Sequence, residues 1–187
     1  MKTNQIYNNV ERLGELLKIG ARKAGAEYGL QPVQVEVLHY LSLCNQFSDS
    51  PMAVTEYLGL TKGTVSQTLK VLETKELLIK KLDEKDKRMT HLKLSSKGQQ
   101  LVQEIIPTPL FAGAIEHLSA AQRADIESSL GLLLTALLKA NNLKTFGVCQ
   151  SCRYNETKED GSYFCGLVKQ PLTSYQVKLI CREHEYK

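Results

Sequence analysis

The feature that most constrains this fold is the order of elements in residues 50–98, where two helices joined by a tight turn lead into a basic hairpin. Ser50 and Pro51 predict the start of the first helix, because a serine oxygen caps free backbone N–H groups and proline fits the first helical position. A glycine then supplies the turn, and Thr61 predicts the cap of a second helix that ends near Lys75. Helix, turn, helix and hairpin in one uninterrupted order are a much more specific signal than any of them alone.

The second helix is predicted to have one apolar and one polar face. Val65, Leu69 and Leu72 fall at i, i+4 and i+7, so they face inward. The outer face is left with small, hydrogen-bonding and cationic side chains, which suit the base edges and phosphates of a DNA groove. The residues of this outer face are Lys62, Gly63, Ser66, Gln67 and Lys70.

The hairpin is predicted from two apolar runs, 77–82 and 89–94, on either side of an almost wholly charged segment, 83–88. Residues 61–98 hold ten Lys or Arg and five Asp or Glu, a net charge of +5, whereas the whole chain carries +4. Positive charge is thus concentrated here, as attraction to a phosphate backbone requires. A charged hairpin tip alone is also typical of an ordinary solvated surface, so the order of all the elements is what favours DNA binding.

Residues 83–98 resemble the wing signature of the MarR family of winged-helix repressors. That signature has an Asp and an Arg at the wing tip, a Leu-x-Leu strand, and Ser/Thr-x-x-Gly opening a helix. Residues 60–66 similarly resemble the entry to the family's recognition helix, and the whole resemblance covers roughly residues 4–142. It implies an obligate homodimer that binds a pseudo-palindromic operator through the major groove, with each wing in a neighbouring minor groove.

The same resemblance implies roles for individual residues. Arg88 would enter the minor groove, and Asp86 would brace it. The family also binds a small-molecule effector between its DNA-binding and dimer regions. No pattern of charged residues in this sequence indicates which ligand that would be. The residues expected to contact double-stranded DNA are Lys62, Thr64, Ser66, Gln67, Lys70, Lys87 and Arg88.

Further helices are predicted on the N-terminal side of this unit. Residues 4–27 carry apolar side chains at spacings of three and four, which predicts an amphipathic helix interrupted by Gly14 and Gly20. It packs within its own subunit or, as the resemblance implies, joins the dimer interface. Another helix is predicted from Pro32, with Val33 among its buried residues and Cys44 as a small buried hydrophobe at its end.

On the C-terminal side, prolines 107 and 109 are predicted to break a helix that begins near Gly98. The helix after Ser119 has a wide apolar stripe and few charges. Packing within the chain could cover this stripe, but pairing with a second copy explains it better. The stripe comprises Ile126, Leu130, Leu133, Leu134, Leu137 and Leu138.

These patterns predict a mainly α (α+β) fold: a winged helix-turn-helix with long N- and C-terminal dimerisation helices and a small Cys-rich C-terminal appendage. The predicted parts are an N-terminal dimerisation helix (1–30), a winged helix-turn-helix DNA-binding domain (31–98), C-terminal dimerisation helices (99–143) and a Cys-rich metal-binding appendage (144–187).

The appendage holds four of the chain's five cysteines. A segment this short has little apolar core and needs a cross-link, such as a bound metal, to stabilise its fold. Its two close ligand pairs, each with an x2 spacing, are typical of a tetrahedral metal site. The candidate ligands are Cys149, Cys152, Cys165 and Cys181, with His184 as an alternative to Cys165.

The identity of the metal is open at this point. Four thiolates suit zinc, which we expect, and equally an iron–sulfur cluster; unliganded or disulfide-bonded cysteines are the third alternative. Zinc would fold the appendage. A cluster would make it a sensor of redox state, oxygen or nitric oxide, and direct oxidation of the thiolates is a further route.

Composition and motifs also exclude several classes of protein. The sequence has no apolar run long enough to span a bilayer and no secretory signal, so we expect a cytoplasmic protein. It has no Gly-rich phosphate loop, nucleophile motif or clustered acid pair, so we do not expect an enzyme. The expected function is a homodimeric, sequence-specific transcriptional regulator that acts as a repressor. The alternatives are a redox or electron-transfer protein that uses the four cysteines, and a winged-helix module that binds another protein.

Overall fold

The computed structural model describes residues 2–84 and 86–187; Met1 and Lys85, a residue of the predicted wing tip, lie outside the described residues. Within them the chain forms seven α-helices, a two-stranded hairpin and a small three-stranded sheet. The elements are α1 (Lys2–Ala26), α2 (Pro32–Leu43), α3 (Pro51–Leu58), α4 (Lys62–Thr74), β1 (Leu78–Leu82), β2 (Thr90–Leu94), α5 (Ser96–Ile105), α6 (Pro109–Glu116), α7 (Ala120–Ala140), β3 (Asn155–Thr157), β4 (Tyr163–Cys165) and β5 (Gln170–Leu172).

Side-chain caps begin the helices where the sequence predicts them. Ser50, Thr61 and Ser119 each accept a hydrogen bond from a backbone N–H three residues on, at the starts of α3, α4 and α7. Ser95 caps α5 in the same way. Gly59 ends α3 with a φ of 64°, a left-handed conformation that glycine adopts without steric strain.

The core lies where α2, α4 and α5 meet the hairpin. The predicted inner face of α4 is buried there, together with the start of β1 and the middle of β2. Gly98 lets α5 pass directly over the hairpin, because a Cβ at this position would lie 2.0 Å from the carbonyl oxygen of Leu77. Among the largest fully buried side chains are Leu38, Tyr40, Val65, Leu69, Leu72, Leu78 and Leu92.

Two predictions about the N-terminal helices are wrong. Gly14 and Gly20 do not interrupt α1, which is one continuous helix. Gly20 instead allows a close approach, since a Cβ there would lie 2.7 Å from the hydroxyl oxygen of Thr108. Val33 is only partly buried, and Val35 takes its place in the core.

The apolar faces of α1 and α7 are not covered by the rest of the described chain. No residue of α7 is buried, and Leu134 is 58% exposed. None of the described helices is both long enough and apolar enough to cross a bilayer. Other large apolar side chains exposed on these two helices are Ile6, Tyr7, Val10, Leu13, Leu17, Ile126, Leu130, Leu132 and Leu137.

The C-terminal segment folds as a small antiparallel sheet, in the order β3-β4-β5, that docks on the winged helix. Phe146 enters the main core, where its ring meets the ring of Tyr57 edge-on at a centroid distance of 5.1 Å. The backbone of Ile180 pairs with the end of α2, donating to the Leu43 carbonyl and accepting from the Asn45 N–H, both at 2.9 Å. The segment is therefore packed against the helix-turn-helix of its own chain.

Candidate nucleic-acid interface and cysteine centre

The outward face of α4 carries polar and cationic side chains. Thr61 caps this helix, and its hydroxyl oxygen lies 2.9 Å from that of Thr64. An open groove of about 960 Å³ runs beside this face, between α4 and the first turn of α2. The residues of α4 that the sequence assigned to DNA are all exposed: Lys62, Thr64, Ser66, Gln67 and Lys70.

The wing, the hairpin of β1 and β2, presents an oriented cation at its tip. Arg88 is 91% exposed and donates from Nε to Asp86 Oδ1 at 3.0 Å and from Nη2 to Oδ2 at 3.1 Å. These hydrogen bonds hold the pKa of Asp86 below its usual range, so the pair is ionised at neutral pH. The neighbouring Lys87 is exposed as well. An exposed arginine on a narrow hairpin suits the negative potential of a minor groove.

The base of the wing holds an ionic cluster that sequence reasoning missed. His91 Nδ1 lies 2.6 Å from Asp49 Oδ1, and its Nε2 lies 3.0 Å from Asp83 Oδ2. These carboxylates, Asp49 above all, raise the pKa of His91. The Asp49 carbonyl also accepts the Leu92 N–H at 2.7 Å. The cluster thus joins the wing to the residue that precedes the α3 cap.

All four predicted cysteine ligands line one small cavity. Its volume is about 20 Å³, and the cysteines are free thiols. Burial, together with a smaller contribution from the other three sulfurs, raises the pKa of the Cys149 thiol to about 12. The loop between α2 and α3 contributes Asn45 and Phe47 to the wall, which the sequence did not predict. The four cysteines are Cys149, Cys152, Cys165 and Cys181.

His184 lies outside this cavity. Its side chain is buried, with Nδ1 2.8 Å from the Thr145 hydroxyl and Nε2 3.0 Å from the Ser151 hydroxyl. Gly147 packs so closely on the ring that a Cβ would lie 2.5 Å from it. Both ring nitrogens therefore have hydroxyl partners, and it is Cys165 that lies with the other three cysteines.

The cavity is lined by side chains that commonly bind metals, but they are not arranged around one point in the described part of the chain. Within residues 2–84 and 86–187, no three His, Cys, Asp or Glu side chains close around a point as metal ligands do. Two buried polar atoms lack a hydrogen-bond partner in that part of the chain, Asn45 Nδ2 and Asn155 Oδ1, and both side chains line this cavity. Four cysteine sulfurs are a donor set typical of structural zinc, so the residues present fit a small thiophilic ion.

Residues that follow Cys181 in the chain connect the cysteine segment to two helices. Arg182 donates to both carboxylate oxygens of Glu56 in α3, at 2.6 and 2.7 Å, and its backbone N–H donates to Ser48 Oγ at 2.8 Å. Tyr186 lies with its hydroxyl 3.1 Å from that of Thr135 in α7. The cysteine segment therefore contacts both the helix-turn-helix and the C-terminal helix.

Comparison with known proteins shows what the winged helix-turn-helix part of this chain is similar to. Residues 28–89 match the sequence profile of the MarR family. The HTH-type transcriptional regulator MhqR of Bacillus subtilis is 29% identical over 115 residues, which cover 61% of this chain and 77% of MhqR. Over its winged helix-turn-helix the chain is thus similar to MarR-type transcriptional regulators. MarR-family regulators are non-enzymatic DNA-binding proteins, in line with the expectation that this protein is not an enzyme.

Solved structures confirm the winged helix-turn-helix fold. A MarR transcriptional regulator from Methanosarcina mazei Go1 superposes with a TM-score of 0.64 at 23% identity, covering 73% of this chain and 99% of that one. The MepR–DNA complex of S. aureus gives a TM-score of 0.57 at 22% identity, covering 70% of this chain and 97% of MepR.

Proposed function

We propose that this chain is a MarR-family regulator that binds a pseudo-palindromic operator in double-stranded DNA as a homodimer and acts as a repressor. The observation that carries the proposal is the pairing of an exposed polar face on α4 with an exposed, braced Arg88 on the adjacent wing. In this arrangement α4 reads base edges in the major groove, and Arg88 enters the next minor groove. The family match over residues 28–89 supports the same reading.

Dimerisation follows from the exposed apolar faces of α1 and α7. A monomeric soluble protein rarely leaves contiguous apolar faces of this kind in water. A second copy, related by a two-fold axis, would cover them and hold two α4 helices about one DNA turn apart, roughly 34 Å. The resemblance to the MarR family also implies a small-molecule effector that would bind between the DNA-binding and dimer regions.

Titration of fluorescent DNA from the region upstream of the protein's own gene tests the proposed function. Wild-type protein should bind with an affinity that falls steeply as salt rises, because phosphate contacts release counterions. Arg88→Ala should bind more weakly and with a shallower salt dependence, while the circular dichroism spectrum stays the same. Arg123→Ala, an exposed arginine on α7, is the matched control. Equal affinities for wild type and Arg88→Ala would contradict the wing assignment.

For the C-terminal segment we propose a zinc ion held by the four cysteines. The cavity of about 20 Å³ favours a single ion over a cluster of several iron and sulfide atoms, since that volume is close to the space that one water molecule needs. The local core is small, with Cys149, Leu172 and Val177 as its buried members. A bound ion would supply the cross-link that so small a core lacks.

Metal analysis of protein purified without oxygen tests the cysteine proposal. We expect a colourless protein with about one zinc per chain, from the four-thiolate geometry. Cys165→Ser should lose most of the zinc, whereas His184→Gln should keep it. A brown protein with visible absorbance would replace zinc with an iron–sulfur cluster, and a metal-free wild-type protein would contradict both.

A further inference from the structure

The side-chain amide of Asn45 is buried, and its N–H donor makes no hydrogen bond within the part of the chain that the structure describes. The side chain is 1% exposed. Its Oδ1 accepts the Phe47 N–H at 3.1 Å, whereas Nδ2 has no hydrogen-bond partner. A buried N–H group that has lost water without gaining an acceptor is unfavourable. An acceptor is therefore expected where this side chain faces the cysteine cavity.

The side-chain acceptors that line the cavity include the four cysteine sulfurs, the Glu183 carboxylate and Asn155 Oδ1, which itself lacks a partner among the described residues. Glu183 also lines it, but its carboxylate already accepts from Lys144 at 2.8 Å and from Arg182 at 2.7 Å. Neutral thiols are weak acceptors, whereas the thiolates of a metal site are anionic and are commonly oriented by N–H donors around them. Asn45 thus has the donor that a metal–thiolate centre uses.

We propose that Asn45 Nδ2–H donates to a metal-bound cysteine thiolate, and that this hydrogen bond connects the metal to the loop leading into α3. The inference rests on the proposed zinc centre and adds the route from that centre to the helix-turn-helix. The backbone supports the route, because Asn45 N–H donates to Ile180, the residue before Cys181. Asn45 is therefore tied to the metal-binding segment through both its main chain and its side chain.

The loop after Asn45 carries three groups that position the DNA-binding elements. Ser48 accepts from the Arg182 backbone, Asp49 binds His91 of the wing, and Ser50 caps α3. When the ion leaves, each thiolate takes up a proton from water and Asn45 loses a strong acceptor. The loop then loses the hydrogen bond from Asn45 to the thiolate, and the positions of α3 and the wing become less fixed. Asn45 acts here as a positioning residue.

The test uses the whole chain, with zinc affinity measured by competition against a chelator. Asn45→Ala removes the donor, Asn45→Asp keeps the side-chain shape and the Phe47 contact but replaces the donor by an acceptor, and Gln46→Ala on the same loop is the exposed control. We expect both Asn45 variants to bind zinc roughly 10- to 100-fold more weakly, the usual effect of losing a group that orients a ligand. Gln46→Ala should match wild type.

Cobalt substitution supplies a readout that general destabilisation does not change. In Co²⁺-loaded protein, the thiolate-to-cobalt absorption band should shift in Asn45→Ala and not in Gln46→Ala, since only the former alters a hydrogen bond to sulfur. Wild-type protein that binds neither metal would end both the zinc proposal and this inference. Wild-type protein that binds zinc, with Asn45→Ala and Asn45→Asp unchanged in affinity and spectrum, would overturn the Asn45 inference alone.

Discussion

At the scale of single residues, the ion cluster of His91, Asp49 and Asp83 makes the stability of the wing depend on pH. The carboxylates raise the pKa of His91 above its ordinary value. The stabilisation is therefore complete below the unfolded pKa of His91 and is lost as pH rises through the raised one. His91→Gln should destabilise the protein by about 1–3 kcal/mol near pH 6, the usual range for a hydrogen bond to a charged group, and by less near pH 9.

Urea unfolding of wild type and His91→Gln at the two pH values measures this difference. The exposed His117 offers a matched control, because His117→Gln removes a histidine that lies away from the cluster. A gap between wild type and His91→Gln that grew with pH would show that the cluster does not stabilise the fold through the protonated imidazole.

Local residue choices could be predicted from sequence because their causes are local. Ser50, Thr61 and Ser119 bond to backbone groups three residues away, so the pattern around each one contains its whole explanation. His91 differs, since its partner Asp49 lies 42 positions earlier. Periodicity contains no information about such a contact, so the sequence did not predict this cluster.

At the scale of elements, the ion pair of Arg182 and Glu56 fastens the cysteine segment to α3. The pair is bidentate and partly shielded, with side chains 28% and 32% exposed. Arg182 holds the pKa of Glu56 below its usual range, so this stabilisation is present above the ordinary Glu pKa and lost as pH falls through the lowered one. Arg182→Ala should speed hydrogen exchange at the Asn45 and Ile180 amides, which form the adjoining backbone contact.

A double-mutant cycle with Glu56→Gln and Arg182→Ala should give a coupling energy of about 1 kcal/mol in thermal unfolding. The exposed pair Arg153–Glu185, 3.2 Å apart within the same segment, is the control. Its cycle should give at most about 0.5 kcal/mol, because solvent screens it. Equal couplings for the two pairs would mean that Arg182 does not fasten the segment to α3.

The elements of the C-terminal segment were beyond sequence reasoning for a physical reason. Its three strands are each three residues long, too short to show an alternating pattern. Arg182 and Glu56 are 126 positions apart. The loop between α2 and α3 contributes Asn45 and Phe47 to the cavity wall through tertiary contact alone. Only the candidate metal ligands of this segment could be predicted from sequence, because two ligands of one ion tend to lie close in sequence.

At the scale of the whole molecule, the uncovered helices α1 and α7 are the surfaces on which the proposed dimer would form. In that dimer one α4 helix would contact a single half-site, so affinity for a two-fold operator would depend on a partner held at the correct spacing. The apolar faces were predicted from periodicity, whereas sequence alone left open whether the same chain covers them. In the structure α7 has no buried residue, which favours a second copy as the cover.

Replacing Leu130 and Leu134 of α7 with Glu tests this requirement. Both side chains are exposed in the single chain, at 46% and 58%, so the changes should leave the fold of one subunit intact. In a dimer they would place carboxylates in an apolar interface, which is strongly unfavourable. Light scattering should then report a monomer, and operator affinity should fall at least tenfold, toward non-specific binding. Tyr175→Glu, 64% exposed in the C-terminal segment, should remain dimeric, and a dimeric Leu130→Glu/Leu134→Glu variant would place the interface elsewhere.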